Sequence, residues 1–284
     1  MRLIKKLLVS LFACILAILF MVLSGLVDIG WMHLLQYAPH ISWMQYYLMG
    51  ISEIIVVYVL CRLVSHICFH LTSGSLGVTK PRSFAHWLLC SVFLPIGVIA
   101  FYLVLVPGKL ELPGELNTDQ IIRQIGYTVF FVGLSPGIIE ELVFRGMLFG
   151  AMKRLWGLKT AVLLPSVLFA MIHLLKVDFH DPLSVMLLLL GGTMVGVMFS
   201  MIRIQSGSIW SGALVHGVWN ATFSMIAIGS TITDNTIIKY VLSSHNPLLE
   251  SGDMGIEVGL PTILFYAVVA GYAYILYVKE EHRL

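Results

Sequence analysis

A chain of 284 residues that is 58% hydrophobic and only 11% charged, with a mean hydropathy of +0.93, is no ordinary soluble domain, because those carry about 25% charged residues. Its net charge of +2 supplies no basic surface for a nucleic-acid partner, and no polar stretch is long enough to bury a core of its own. What is left is an integral membrane protein, read as a single membrane domain over 1–284.

A spanning helix needs about 20 apolar residues, and eight segments qualify. The first, 7–27, follows Arg2, Lys5 and Lys6. Its charge-free run exceeds the roughly 7–15 residues of a cleaved signal's apolar core, so it reads as an uncleaved helix. The second, 44–64, carries Glu53 and Arg62, which read as packing or snorkelling residues. Trp31, Trp43, Tyr46 and Tyr47 suit an interfacial aromatic belt. The third is 84–106. The fourth, 121–152, is overlong, and its Ser135-Pro136-Gly137 predicts a kink or break. The others are 160–175, 183–202, 209–228 and 258–278. The linkers 107–120 and 229–257 are polar. Cys14, Cys61, Cys68 and Cys90 all lie in apolar runs, with neither zinc-knuckle nor redox spacing, and read as small buried hydrophobes without disulfides.

Charge placement predicts orientation. With the N-terminus in the cytosol, Arg2, Lys5, Lys6, Lys80, Arg82, Lys153, Arg154, Lys159, Arg203, Lys279 and Arg283 fall inside. Asp28, Glu111, Glu115, Asp119, Asp178, Asp181, Asp234, Glu250 and Asp253 fall outside. Only Lys109, Lys176 and Lys239 join them, with Arg123 near that edge. The expected fold is therefore all-α: a polytopic bundle of about eight transmembrane helices with both termini cytosolic.

Three polar constellations interrupt these apolar segments: Glu140-Glu141 with Arg145, Phe169 with His173, and His216 with Asn220. An ionisable side chain at bilayer depth costs on the order of 3 kcal/mol, so such residues need a purpose. Glu141/Arg145, Phe169/His173 and His216/Asn220 are each four apart, one turn of a helix, so each pair shares a face. Adjacent Glu140 and Glu141 diverge by about 100°. One is predicted to point into a cavity while the other reaches Arg145. Counted from the cytosolic ends at 1.5 Å per residue, Glu140, His173 and Asn220 all lie about 21 Å deep, with His216 a turn shallower. Carboxylate, imidazole and amide at one depth are parts for activating a water and holding an oxyanion. They also suit a proton-coupled transporter, in which buried Glu and His relay protons.

The ordered set Glu-Glu-x-x-x-Arg, Phe-x-x-x-His, His-x-x-x-Asn, together with Phe144-Arg145-Gly146 and Gly207-Ser208-Ile209-Trp210 leading into His216-Gly217-x-Trp219-Asn220, resembles the CPBP family. These are CAAX-protease and bacteriocin-processing intramembrane endopeptidases, relatives of the type II CAAX prenyl endopeptidase. The resemblance covers about 126–223. It implies hydrolysis of a peptide or protein substrate that arrives from the cytosol or the bilayer, in the lipid of a bacterial cell membrane. Under it, Glu140 and His173 activate the water and His216 and Asn220 hold the oxyanion. Glu141 and Arg145 support the site. It also implies a possible zinc held by Glu140, His173 and His216, with an open position for water. Unaided water activation by a glutamate–histidine pair remains open beside it. A silent bacteriocin-immunity role, also attributed to relatives, is the other alternative.

Overall fold

The computed structural model describes residues 3–112, 114, 117–232, 236–251 and 254–282. Arg2, Glu115, Asp234, Asp253 and Arg283, which enter the charge alternation, lie outside the described residues, as does the side chain of Lys176.

All eight predicted apolar segments are helical over most of their length. Those long and apolar enough to cross a membrane are Leu3–Leu35, His40–Phe69, Phe84–Leu105, Thr118–Trp156, Pro182–Ser206 and Leu260–Glu280, six among the described residues. Their helices are α1 (Leu3–Leu35), α2 (Gln45–Phe69), α4 (Phe84–Leu105), α9 (Pro182–Ser206) and α11 (Leu260–Glu281). The fourth span is composite and is described below, and α3 (Ser73–Leu76) is a single turn in a connection. Two of the expected eight fall short: α8 (Leu158–His173) has 16 residues and α10 (Ile209–Met225) has 17. At 1.5 Å per residue they reach about 24–26 Å, less than a hydrocarbon core of about 30 Å. These short helices carry His173, His216 and Asn220. Neither needs to present a full lipid-facing length, because α10 packs on α4, α9 and the fourth span, and α8 packs on α9.

The fourth span does not break at Ser135-Pro136-Gly137. It runs as α5 (Thr118–Ile125), a π-helical stretch (Gly126–Leu134), α6 (Ser135–Glu140), a second π stretch (Glu141–Leu148) and α7 (Phe149–Trp156). Pro136 sits at the start of α6, where a missing N–H costs least. The irregularity moves into the flanking π turns, a local geometry common at functional sites.

The all-α expectation also needs amending, because the polar connections hold a small sheet. β1 (Gly108–Glu111) pairs antiparallel with β3 (Ile238–Leu242), and β3 pairs parallel with β2 (Ile226–Gly229). The seventh segment, predicted to end at 228, therefore leaves the helix after Met225. Its Ile226-Ala227-Ile228 and the Ile238–Leu242 run are short and β-branched, which suits strands. Tyr240 donates to the carbonyl of Val106 at 2.8 Å and ties the sheet to the end of α4.

Two cores result. One gathers α1 and α2 around the second π stretch and α7, with Val143, Phe144, Met147 and Leu148 fully buried. The other joins α4, α9, α10 and α11. The outer faces are apolar: Leu7, Leu11 and Leu19 on α1 are each more than half exposed, a surface suited to lipid rather than water. The four cysteines are free; Cys61 is buried as read from the sequence, whereas Cys14 and Cys90 are half-buried and Cys68 is exposed.

Candidate active site

Glu140 is the last residue of α6 and Glu141 the first of the π stretch, so they diverge as adjacent helical residues must. Glu141 turns inward. Its Oε1 lies 3.0 Å from Arg145 Nη1, and both side chains are completely buried. The helix that approaches them, α10, does so through missing side chains. A Cβ on Gly212 would stand 2.6 Å from Glu141 Oε2, and one on Gly137 would stand 2.9 Å from the Ala213 carbonyl oxygen. Glycine at 137 lets α6 and α10 touch at their backbones, as small residues do between membrane helices, and glycine at 212 leaves room for the Glu141 carboxylate.

That contact sets His216 against both carboxylates. Its Nε2 is 3.7 Å from Glu140 Oε2 and its Nδ1 is 3.6 Å from Glu141 Oε1. Neither separation is a hydrogen bond. Among the described residues, Glu140 Oε2 and His216 Nδ1 are buried without a hydrogen-bond donor or acceptor from the chain. The imidazole is held by rings instead. Phe199 of α9 stacks on it at 4.8 Å with planes 21° apart, and Phe169 of α8 meets it edge-on at 6.2 Å.

Phe169 has further roles in the site. Its carbonyl lies 2.8 Å from His173 Nδ1. A carbonyl only accepts, so Nδ1 carries the hydrogen, and in the neutral ring Nε2 keeps its lone pair. Its ring also covers Arg145, with the guanidinium carbon 4.6 Å from the ring centre; Phe199 and Phe144 complete the enclosure at 5.2 and 5.9 Å. An aromatic enclosure attracts a cation through the ring quadrupoles and excludes water from the Glu141–Arg145 pair.

Glu140, His173, His216 and Asn220 are all among the residues that line one cavity of about 1760 Å³. Glu141 and Arg145 lie behind its wall, fully buried. Asp28 and Glu53, from α1 and α2, also line the cavity. Glu53, read from sequence as a packing residue, is only 4% exposed and is met by hydroxyls rather than by a cation. Phe199 carried no sequence signal, since a phenylalanine in an apolar run looks like any other lipid-compatible residue, and Phe144 entered only through the Phe144-Arg145-Gly146 motif, with no role read for its ring.

The zinc set suggested by sequence can be tested on donor placement. Two ligands of one tetrahedral zinc stand roughly 3.3 Å apart for bonds near 2.05 Å, and Glu140 Oε2 and His216 Nε2 come near that separation at 3.7 Å. A third donor does not join them: among the described residues no three His, Cys, Asp or Glu side chains form a group able to hold a metal ion. The described donors do not fit a zinc, and the chemistry below is derived from the chain's own groups.

The fold and site thus define a membrane-embedded helical protein with a carboxylate–imidazole–amide cavity. Residues 123–222 match the family model described as Rce1-like, type II CAAX prenyl endopeptidase Rce1-like, which supports assigning the chain to the CPBP (CAAX protease) family that its motifs resemble. The matched stretch contains all six candidate residues. No curated protein and no solved structure matches the chain.

Proposed function

We propose that the protein is an intramembrane endopeptidase that hydrolyses a peptide or protein substrate by attack of an activated water. One observation carries this reading: Glu140 Oε2 has no donor from the chain and faces His216 Nε2 at 3.7 Å, in a cavity shared with His173 and Asn220. A buried acceptor left without a partner costs about 1–3 kcal/mol, which binding of a water or substrate N–H would recover.

In the proposed reaction, His173 Nε2 accepts one O–H of the water and Glu140 removes the other proton as the oxygen attacks the scissile carbonyl carbon. The C=O electrons move to oxygen, and the oxyanion is met by the Asn220 amide N–H and by His216. Collapse of the tetrahedral intermediate breaks the C–N bond. The proton on Glu140 passes to the leaving nitrogen, giving an amine and a carboxylic acid, with one water consumed. Glu141, held by Arg145, stands behind His216, whose ring is positioned by Phe199 and Phe169. The substrate enters from the cytosol or the bilayer.

The test is cleavage of a quenched-fluorescent peptide library by protein reconstituted in liposomes, with Glu140→Ala alongside. Cleavage by the wild type and none by the variant supports the endopeptidase. Glutamate-dependent proton uptake without cleavage would point to a transporter, and neither activity to a silent immunity role. In the same assay we expect a chelator to leave cleavage intact. Loss on chelation with recovery on added zinc would make a metal on Glu140, His173 and His216 part of the site.

A further inference from the structure

Glu53 is the more buried of the two acids on α1 and α2, and the proposed reaction does not use it. It is 4% exposed, in a span where a carboxyl costs on the order of 3 kcal/mol, and among the described residues it makes no ion pair. Its two oxygens are taken by hydroxyls on two other helices. Ser24 of α1 donates to Oε1 at 2.8 Å, and Ser135 of α6 donates to Oε2. Asp28, one turn beyond Ser24, stands beside it.

The Ser135 bond falls at a sensitive place. α6 is six residues long, Ser135 begins it and Glu140 ends it. On both sides the backbone changes from α to π hydrogen bonding, and Pro136 has no N–H to give, so the helix ladder alone sets the rotation of α6 weakly. α10 holds one side of α6 by backbone contact at Gly137. On the α2 side, Glu53 is the polar tie. Five residues at 1.5 Å place Glu140 about 7.5 Å along the axis from Ser135, so rotation or sliding at the serine is carried to the catalytic carboxylate.

We infer that Glu53 is a positioning residue: through its hydrogen bond to Ser135 it fixes α6 against α2 and thereby aims Glu140 at His216. The inference rests on the endopeptidase reading for its kinetic test and on geometry alone for its structural one. A group that contacts substrate would act on binding, whereas a group that aims the base acts on turnover.

Glu53→Ala is expected to lower kcat on the order of 10²-fold, the scale of a misplacement near 1 Å, with KM little changed. Ser135→Ala should fall comparably, and the double variant no further, since both break one link. Glu53→Gln should retain most of the turnover, because its amide offers an oxygen to one serine and an N–H to the other. Ser24→Ala, which leaves the Ser135 bond in place, should leave kcat unchanged. A readout independent of proteolysis is the alkylation rate of Glu140→Cys, resolved by mass spectrometry of that peptide with exposed Cys68 as internal control. Adding Glu53→Ala should change the rate at position 140 and not at Cys68. The inference is overturned by a kcat within about tenfold of wild type for Glu53→Ala, by a raised KM at constant kcat, by an indifferent Ser135→Ala, or by an unchanged alkylation rate. A wild-type protein that cleaves nothing would sink the endopeptidase reading, and the alkylation arm would still decide the clamp.

Discussion

α1 and the 118–156 span are both apolar enough to cross a membrane, yet they sit in it very differently. Only 17% of the most apolar window of α1 is buried inside the protein, against 50% for the 118–156 span and 50% for α9. α1 is close to a lipid-facing cylinder whose contribution is length and apolar surface. The 118–156 span uses glycine contacts, π turns and an ion pair enclosed in phenyl rings to set polar groups at a chosen point. Lipid tails are as apolar as leucine, so apolarity inserts both helices. Small residues and polar pairs then decide which of them packs. Breaking the site should therefore cost function in the second region far more than any single change in the first.

The largest effect is expected at the cavity wall. Glu140→Ala, His173→Ala and His216→Ala should each lower cleavage by about 10²–10⁴-fold, the usual contribution of a positioned acid–base group, with membrane insertion preserved. Peptide turnover in liposomes checks this, and residual activity within about tenfold of wild type would remove that residue from the set. Next comes Arg145→Ala. It strands Glu141 with no exposed surface, and loss of one partner of a buried pair costs roughly 3–5 kcal/mol. Its thermal midpoint in detergent should fall along with activity; an unaltered midpoint with lost cleavage would show that Arg145 serves the substrate.

Phe199→Leu keeps the bulk and removes the ring that stacks on His216 and faces Arg145. Aromatic stacking is worth about 0.5–1.5 kcal/mol, so turnover should fall by roughly twofold to tenfold. The comparison sharpens if an equivalent Phe12→Leu on α1, where the ring is 46% exposed, changes nothing.

The smallest effect belongs to the cap of α9. Asp181 accepts hydrogen bonds from the Ser184 hydroxyl at 2.5 Å and from the Leu183 and Ser184 N–H groups at 3.1 and 3.3 Å. The Ser184 hydroxyl is the main reason its pKa lies below the ordinary aspartate value. A lowered folded-state pKa stabilises the fold above the unfolded pKa and stops doing so as pH falls through the folded value. Acidification below about pH 4 should therefore narrow the stability difference between wild type and Asp181→Ala in thermal melts. Cleavage near neutral pH should be the same in both.

Much of this was legible in the sequence because membrane insertion and helix periodicity are local properties. The eight apolar segments were visible, as was the pairing of Glu141 with Arg145 one turn on. Other features depended on packing. The strand at 238–242 lay in a linker read as a polar loop and the one at 226–229 began inside the seventh predicted helix, because two short apolar runs give no sheet signal until a partner strand such as β1 meets them. The shortness of α8 and α10 was hidden too, since hydropathy locates an apolar run without saying where the helix within it stops.

By itself, then, the sequence determined that the chain enters a membrane, which residues are expensive to place there, and which of them share a helix face; composition and a fixed rise per residue suffice for that. Only the tertiary structure decided that Glu53, a lone acid in α2, reaches a serine 82 positions away, and that Phe199 rather than any neighbouring apolar residue meets His216. It also decided that the irregularity expected at Ser135-Pro136-Gly137 falls in the two flanking π stretches. Such contacts depend on the distance and rotation between helices, which are set by whole packed faces and are carried by no local stretch of residues.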